Sequence, residues 1–169
     1  MKFENKIQIR NELLFVSFKI LTFFLLLGIA FIFIFGIERC SDDMMSPAYK
    51  NGDLAIYYRL QKNYQVTDTV VIEKNGKTQI RRIVAKKGDM VDITGEGLKI
   101  NGYLQQEPDI YKETLPYKNG VQFPITLKRD EYLVLGDNRS NAEDSRIYGI
   151  VKKKEIKGII MTMIRRRGL

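Results

Sequence analysis

The chain has 169 residues, 28 Lys and Arg against 20 Asp and Glu, one cysteine and no histidine. That length is one domain's worth of chain. Without histidine there is no Ser-His-Asp or Cys-His catalysis and no imidazole metal ligand, so an enzyme here needs Lys, Ser or carboxylate chemistry, and the lone Cys40 forbids an internal disulfide.

From the N-terminus, the first strong signal is Ile20 to Ile37, 18 residues without a charge, which Leu13 to Phe18 extend once Lys19 snorkels to the interface. The run ends in Gly36-Ile37-Glu38-Arg39 rather than in the small-x-small exit of a cleavable leader. The expectation is a retained transmembrane helix over residues 13–37. Glu38 and Arg39 also argue against lipid attachment at Cys40. Lys2, Lys6, Arg10 and Lys19 precede the span, whereas Arg39 and Lys50 are the nearest bases behind it. This bias places residues 1–12 in the cytoplasm and residues 38–169 outside the cell membrane, a single-pass arrangement. From Glu38 onward there are 24 basic and 18 acidic residues, a net charge of +6. That surplus suits an anionic lipid surface or wall polymer. No aromatic-interleaved basic motif or Arg-rich recognition helix is present, so no nucleic acid partner is expected. No metal or cofactor is expected either.

Short apolar or alternating runs follow: Leu54–Arg59, Thr69–Glu73, Gln79–Ala85, Met90–Ile93, Gly97–Ile100, Glu131–Leu135 and Gly158–Ile164. Turn residues separate them at Asn51-Gly52-Asp53, Asn75-Gly76, Lys87-Gly88-Asp89, Gly95-Glu96-Gly97 and Asn101-Gly102. The pattern predicts a mainly β domain, a coiled sheet or small barrel, with a long excursion from Tyr103 to Phe123. Met44, Met45, Ala48, Tyr57 and Tyr58 offer either an apolar surface or core packing. Arg165-Arg166-Arg167 reads as a solvated tail.

The stretch Leu135-Gly-Asp-Asn-Arg-Ser-Asn-Ala-Glu-Asp-Ser-Arg-Ile-Tyr-Gly149 resembles the GDNR…DSR…G box of the type I signal peptidases, the S26 family. Asp43–Asp53, Arg81–Asp89 and Leu98–Gly102 resemble three further blocks of that family, in its order. The resemblance covers nearly the whole chain. It implies an N-terminal anchor, an outward-facing β domain and signal-peptide cleavage by a Ser-Lys dyad.

At the positions the resemblance assigns to that dyad, the residues differ. Counting three residues back from Pro47 puts Met44 at the serine position, and anchoring on the methionine instead puts Asp43 there. The lysine position holds Arg81, whose guanidinium cannot act as a base near neutral pH. Ala142 stands where the family often carries a serine that supports the lysine. The alternates nearby are Ser41, Ser46 and Asp42, with Lys86 and Lys87 in a turn. The box residues Gly136, Asp137, Asn138, Arg139, Asp144, Ser145 and Arg146 remain, either to pair and hold loops or to shape a peptide groove. The strand beginning at Gln79 is the expected groove wall.

Two functions follow. One is a catalytically silent protein similar to the signal-peptidase-like factors that assist assembly of sortase-linked pili in Gram-positive bacteria, which implies a pilin, a sortase or both as partners. The other is a working type I signal peptidase with an unorthodox site built on Asp42 or Asp43 and a shifted serine.

Overall fold

The structure is a computed structural model that describes residues 2–165, with side chains from Arg10 onward. The described chain forms two compact units that part between Phe35 and Gly36. The first is one helix, α1 (Lys2–Ile34). Its stretch Arg10–Ile34 is 25 residues long, about 37 Å at ~1.5 Å per residue, against a hydrocarbon core of about 30 Å. Large apolar side chains from Leu13 to Phe33 are exposed all around it. Such a helix is stable in lipid rather than in water, and α1 is long and apolar enough to cross a membrane. It stops at Ile34. The last residues of the uncharged run instead open strand β1 (Phe35–Arg39), where pairing with a neighbouring strand replaces the helical ladder.

The second unit contains β2 (Leu54–Tyr58), β3 (Thr69–Lys74), β4 (Lys77–Ala85), β5 (Met90–Thr94), β6 (Gly97–Ile100), β7 (Tyr103–Leu104), β8 (Ile125–Thr126) and β9 (Glu131–Leu135). A short helix α2 (Ser145–Tyr148), β10 (Val151–Lys152), a 3-10 turn (Lys153–Glu155) and β11 (Ile156–Ile164) complete it. The seven strands expected from the sequence are β2 to β6, β9 and β11. Asn75 and Gly76 sit at φ 52° and 73°, and Asn101 and Gly102 at 54° and 85°. Left-handed backbone at both central residues is what a two-residue hairpin turn requires, and Asn-Gly supplies it with little strain.

Two antiparallel sheets result. The larger runs β1-β2-β11-β3-β4-β9-β10 and the smaller β7-β6-β5-β8. Neither is closed, so the small barrel allowed by the sequence reading does not form. Closure requires the two edge strands to pair, but among the described residues the two-residue edge strand β10 pairs with β9 and lies at the opposite end of the sheet from β1. Side chains alternate across the larger sheet. Val70 and Ile72 of β3 join Tyr64, Ile83, Tyr132, Val134, Val151 and Ile156 on one side. Val71 points the other way, into a cluster with Cys40, Met45, Ala55, Tyr57 and Ile80. Leu133 and Leu135 of β9, with Val84 and Ala85 of β4, meet Val91, Ile93 and Leu98 of the smaller sheet. Strands covered on both faces read as continuous apolar runs, which is why β3 and the end of β4 show little alternation. Met45 and Tyr57 are therefore core residues, at 0% and 6% exposure.

Candidate functional site

The segment after β1 turns back on itself before β2. Cys40 donates its N–H to the Asp53 carbonyl at 2.8 Å, and Gly52 donates to the Cys40 carbonyl at 2.8 Å. Inside this turn Asp42 Oδ1 accepts the Met44 N–H at 2.9 Å, and the Met44 carbonyl accepts the Asn138 N–H at 2.9 Å. Met44 is thus held between its own turn and the Gly136–Arg139 loop. From the sheet, β4 delivers Arg81, which is 1% exposed. Its guanidinium donates from Nε to the Glu143 carbonyl at 2.9 Å, from Nη1 to the Ile80 carbonyl at 2.6 Å and from Nη2 to Met44 Sδ at 2.9 Å. The Glu143 N–H also reaches Met44 Sδ, at 3.2 Å, and Asp42 Oδ2 lies 3.8 Å from Arg81 Nη2.

Met44 and Arg81 therefore meet directly. Asp43, the other residue that alignment offered, is exposed, and its Oδ1 accepts the Asn51 N–H at 2.9 Å. Ser41, Asp42, Met44, Gln79, Arg81 and Glu143, with Glu38, Lys77 and Thr78, line a cavity of about 410 Å³. Ser46 is not on that wall, and its N–H bonds the Asp43 carbonyl. Lys86 Nζ is occupied by Gln65 Oε1 at 2.5 Å and Lys87 is exposed, both away from the cavity. Burial pushes the Cys40 thiol above its ordinary range, and its Sγ–H is given to the Asp42 carbonyl. Among the described residues no group of three or more His, Cys, Asp or Glu is placed to hold a metal.

The box residues build the floor under this contact. Asp144 is fully buried; its Oδ1 accepts from the Arg146 N–H at 3.0 Å and Nε at 2.9 Å. Its Oδ2 accepts from Arg146 Nη2 at 2.8 Å and from the Gly136 N–H at 3.1 Å. One carboxylate thereby caps α2, pairs a buried guanidinium and fixes the Gly136 loop. Ser145 Oγ accepts the Val134 N–H at 3.0 Å, tying α2 to β9. Asp137 takes Arg82 Nε and Nη2 at 2.8 and 2.6 Å, and this pairing holds the Arg82 guanidinium above its ordinary pKa.

Arg139 and Arg146 reach the other way, into the excursion. Arg139 donates to its own loop at the Gly136 carbonyl, to the Glu107 carboxylate and to Thr114 Oγ1. Arg146 Nη1 donates to the Leu115 carbonyl at 3.0 Å, and its guanidinium lies 4.6 Å from the Tyr117 ring centroid. The Tyr117 hydroxyl donates to the Ala142 carbonyl at 3.0 Å and accepts the Ala142 N–H at 3.2 Å. The excursion is thus pinned to the box next to Ala142, which is itself 3% exposed.

Gly136 sits where three parts converge. A Cβ placed there would lie 2.5 Å from Ala142 Cβ and 2.6 Å from the Met44 carbonyl oxygen. One of these is backbone, so relief requires the Met44 turn to move. Gly136→Ala is expected to destabilise by roughly 1–3 kcal/mol and to spread the Met44–Arg81 contact. A denaturant titration reads the first effect, and a wild-type midpoint would contradict it.

The sequence reading missed several wall residues. Glu143 lies inside the quoted box and gave no signal of its own. Gln79, by contrast, opens the strand expected as the groove wall and shares Arg81's face of β4 by strand alternation, with β4 beginning two residues earlier at Lys77. Glu38 and Lys77 gave none. One edge of β4 is paired with β3 from Lys77 to Arg82, while β9 takes up the other edge only from Arg82 onward. Among the described residues the start of β4 therefore has no strand partner on that edge, and the Ile80 carbonyl accepts Arg81 Nη1. A thioether is not activated by guanidinium, which cannot accept a proton. Ser41 also lines the wall, where the lysine present is the exposed Lys77 rather than a desolvated amine of the kind that acts as a base.

Comparison with known proteins places this arrangement. The family profile described as signal peptidase, peptidase S26, matches residues 13–164. The chain is 30% identical over 128 residues to a signal peptidase I of Leptolyngbya laminosa, covering 72% of this chain and 55% of that protein. It is 28% identical over 172 residues to signal peptidase IB of Staphylococcus aureus strain Mu50, covering 88% and 87%. A crystal structure of a signal peptidase I from Enterococcus faecalis V583 aligns with a TM-score of 0.49 at 24% identity, over 59% of this chain and 97% of that one. The chain spans about half the length of the first curated relatives it matches, 55% of the Leptolyngbya protein and 50% of a probable signal peptidase I-2 from Synechocystis.

Proposed function

This chain belongs to the signal peptidase family, peptidase S26, and on that premise we propose that it is a membrane-anchored member that binds an extended polypeptide without cleaving it. The observation that carries the reading is the 2.9 Å contact between Met44 Sδ and Arg81 Nη2. Two residues that the motifs place at the nucleophile and base positions come together in space, as a dyad would, but as a thioether and a guanidinium. The pairing supports counting to Met44 rather than Asp43. With Ala142 in place of the supporting hydroxyl, the residues at all three positions lack the chemistry of a Ser-Lys dyad, while the box that frames the groove is retained. Loss of nucleophile and base forfeits about 10⁶-fold in rate where it has been measured.

The polypeptide lies along the free edge of β4 at Lys77–Arg81 as an added strand. α1 anchors the protein in the cell membrane with residues 1–12 in the cytoplasm, as the bases Lys2, Lys6, Arg10 and Lys19 ahead of the span favour. The β domain then works outside, where its surplus of basic residues favours the anionic membrane surface. The resemblance of the substituted positions to the silent pilus-assembly factors supports a pilin, a sortase or both as the partner, with this chain acting as a chaperone or positioning factor.

Full-length protein in detergent micelles, incubated with an exported preprotein and with a fluorogenic signal-peptide substrate, is expected to give no turnover. Deletion of the gene is expected to leave bulk secretion intact and remove pilus polymer. Turnover abolished by Ser41→Ala would establish a working peptidase instead, and normal polymer in the deletion strain would refute the assembly role.

A further inference from the structure

We propose that the cavity between the Glu38–Met44 segment and the free start of β4 is a subsite for a basic side chain of the bound polypeptide, lysine or arginine. The inference rests on the peptide-binding reading above and specifies what that groove selects. A strand added along Lys77–Arg81 passes the cavity mouth and directs alternate side chains toward it.

The walls show what such a side chain meets. Gln79 is 8% exposed and lies on the cavity wall, yet its Oε1 is buried without a hydrogen-bond partner among the described residues. Buried acceptors in folded proteins are almost always satisfied, so this oxygen points to a donor supplied from outside the chain. Three acidic residues, Glu38, Asp42 and Glu143, line the same cavity. The Glu38 and Glu143 side chains form no ion pair or hydrogen bond with a described residue. Burial raises the Glu38 carboxyl above its ordinary range.

The positive groups of the wall do not meet this demand. Arg81 gives its guanidinium to the Glu143 and Ile80 carbonyls and to Met44 Sδ, with Asp42 at 3.8 Å. Lys77 is exposed at the strand's start, opposite Lys74 in the sheet register. The wall thus carries three acidic residues against Arg81, whose guanidinium is already engaged, and the exposed Lys77, around a space of about 410 Å³. A small apolar side chain would leave Gln79 and the acids as they are, whereas an ammonium or guanidinium on an extended stem offers several donors and a charge to the same point.

Full-length protein in detergent micelles is titrated, by fluorescence anisotropy, with labelled Val/Thr-rich peptides of one sequence carrying a single central Lys, Arg, norleucine or Gln. Lys and Arg peptides are expected to bind roughly tenfold tighter or more than the other two. The preference should shrink with added salt and fall to near unity in Glu38→Gln/Glu143→Gln, with Gln79→Leu as an independent variant. Each variant is checked for an unchanged melting midpoint. Equal affinity for all four peptides overturns the basic subsite and leaves the groove standing. A preference that survives intact in both folded variants also overturns it, by placing the selection elsewhere. No binding of any peptide overturns the groove and the subsite together.

Discussion

Replacing Asp144 with alanine is expected to lower stability by about 3–5 kcal/mol, a large part of the ~5–15 kcal/mol that holds a typical domain together. The size comes from what is left behind. Asp144 is fully buried and answers four donors, three on Arg146 and one on the Gly136 backbone. Its removal strands the Arg146 guanidinium, itself 1% exposed, and uncaps α2 at the same time. Arg146→Leu in the Asp144→Ala background should recover part of the loss, because the uncompensated charge goes with it. Chemical denaturation of the four proteins in the same detergent reads the cycle. A double variant no more stable than Asp144→Ala would show that the cap and the Gly136 bond, rather than the buried charge, carry the effect.

That carboxylate also shows where the sequence was and was not informative. Its membership of a conspicuous box was legible, and so were the strands on either side, because turn residues such as Asn75-Gly76 punctuate short apolar runs. Helix α2 was not, since four residues are too few to display a 3.6-residue period. The two-residue strands β7, β8 and β10 escaped for the same reason, and β1 was absorbed into the apolar run that ends at Ile37. Alignment by motif leaves Met44 and Asp43 as alternatives. In the fold the Met44 N–H bonds Asp42, its carbonyl accepts from Asn138 and its thioether meets Arg81, whereas Asp43 is exposed, an arrangement that supports counting to Met44. Pairing between residues 62 apart, such as Arg81 with Glu143, leaves no trace in either local pattern. The excursion hid the most: nothing in Tyr103–Phe123 announces that Glu107, Thr114 and Tyr117 close over the box through Arg139, Arg146 and Ala142.

The paired substitution Met44→Ser, Arg81→Lys is expected to produce measurable signal-peptide cleavage where the parent produces none. The reason is geometric, since the two side chains already meet at 2.9 Å and the carbonyls of Glu143 and Ile80 remain in place as acceptors for an ammonium. The introduced amine is buried, and desolvation favours its neutral form, which is the form that takes a proton from a hydroxyl. Asp42 opposes this, because a carboxylate close to the amine favours the charged form. Cleavage should therefore rise toward alkaline pH, and adding Asp42→Asn should move that rise to lower pH. Ala142→Ser restores a hydroxyl at the position that the resemblance assigns to support of the lysine and should raise the rate further. Either single substitution stays inactive, since a hydroxyl without a base and a base without a hydroxyl both lack half of the step. The measurement is single-turnover cleavage of a fluorogenic signal peptide across pH 6–10. A folded double variant that binds the peptide but never cuts it would mean that the groove presents the chain out of reach of position 44.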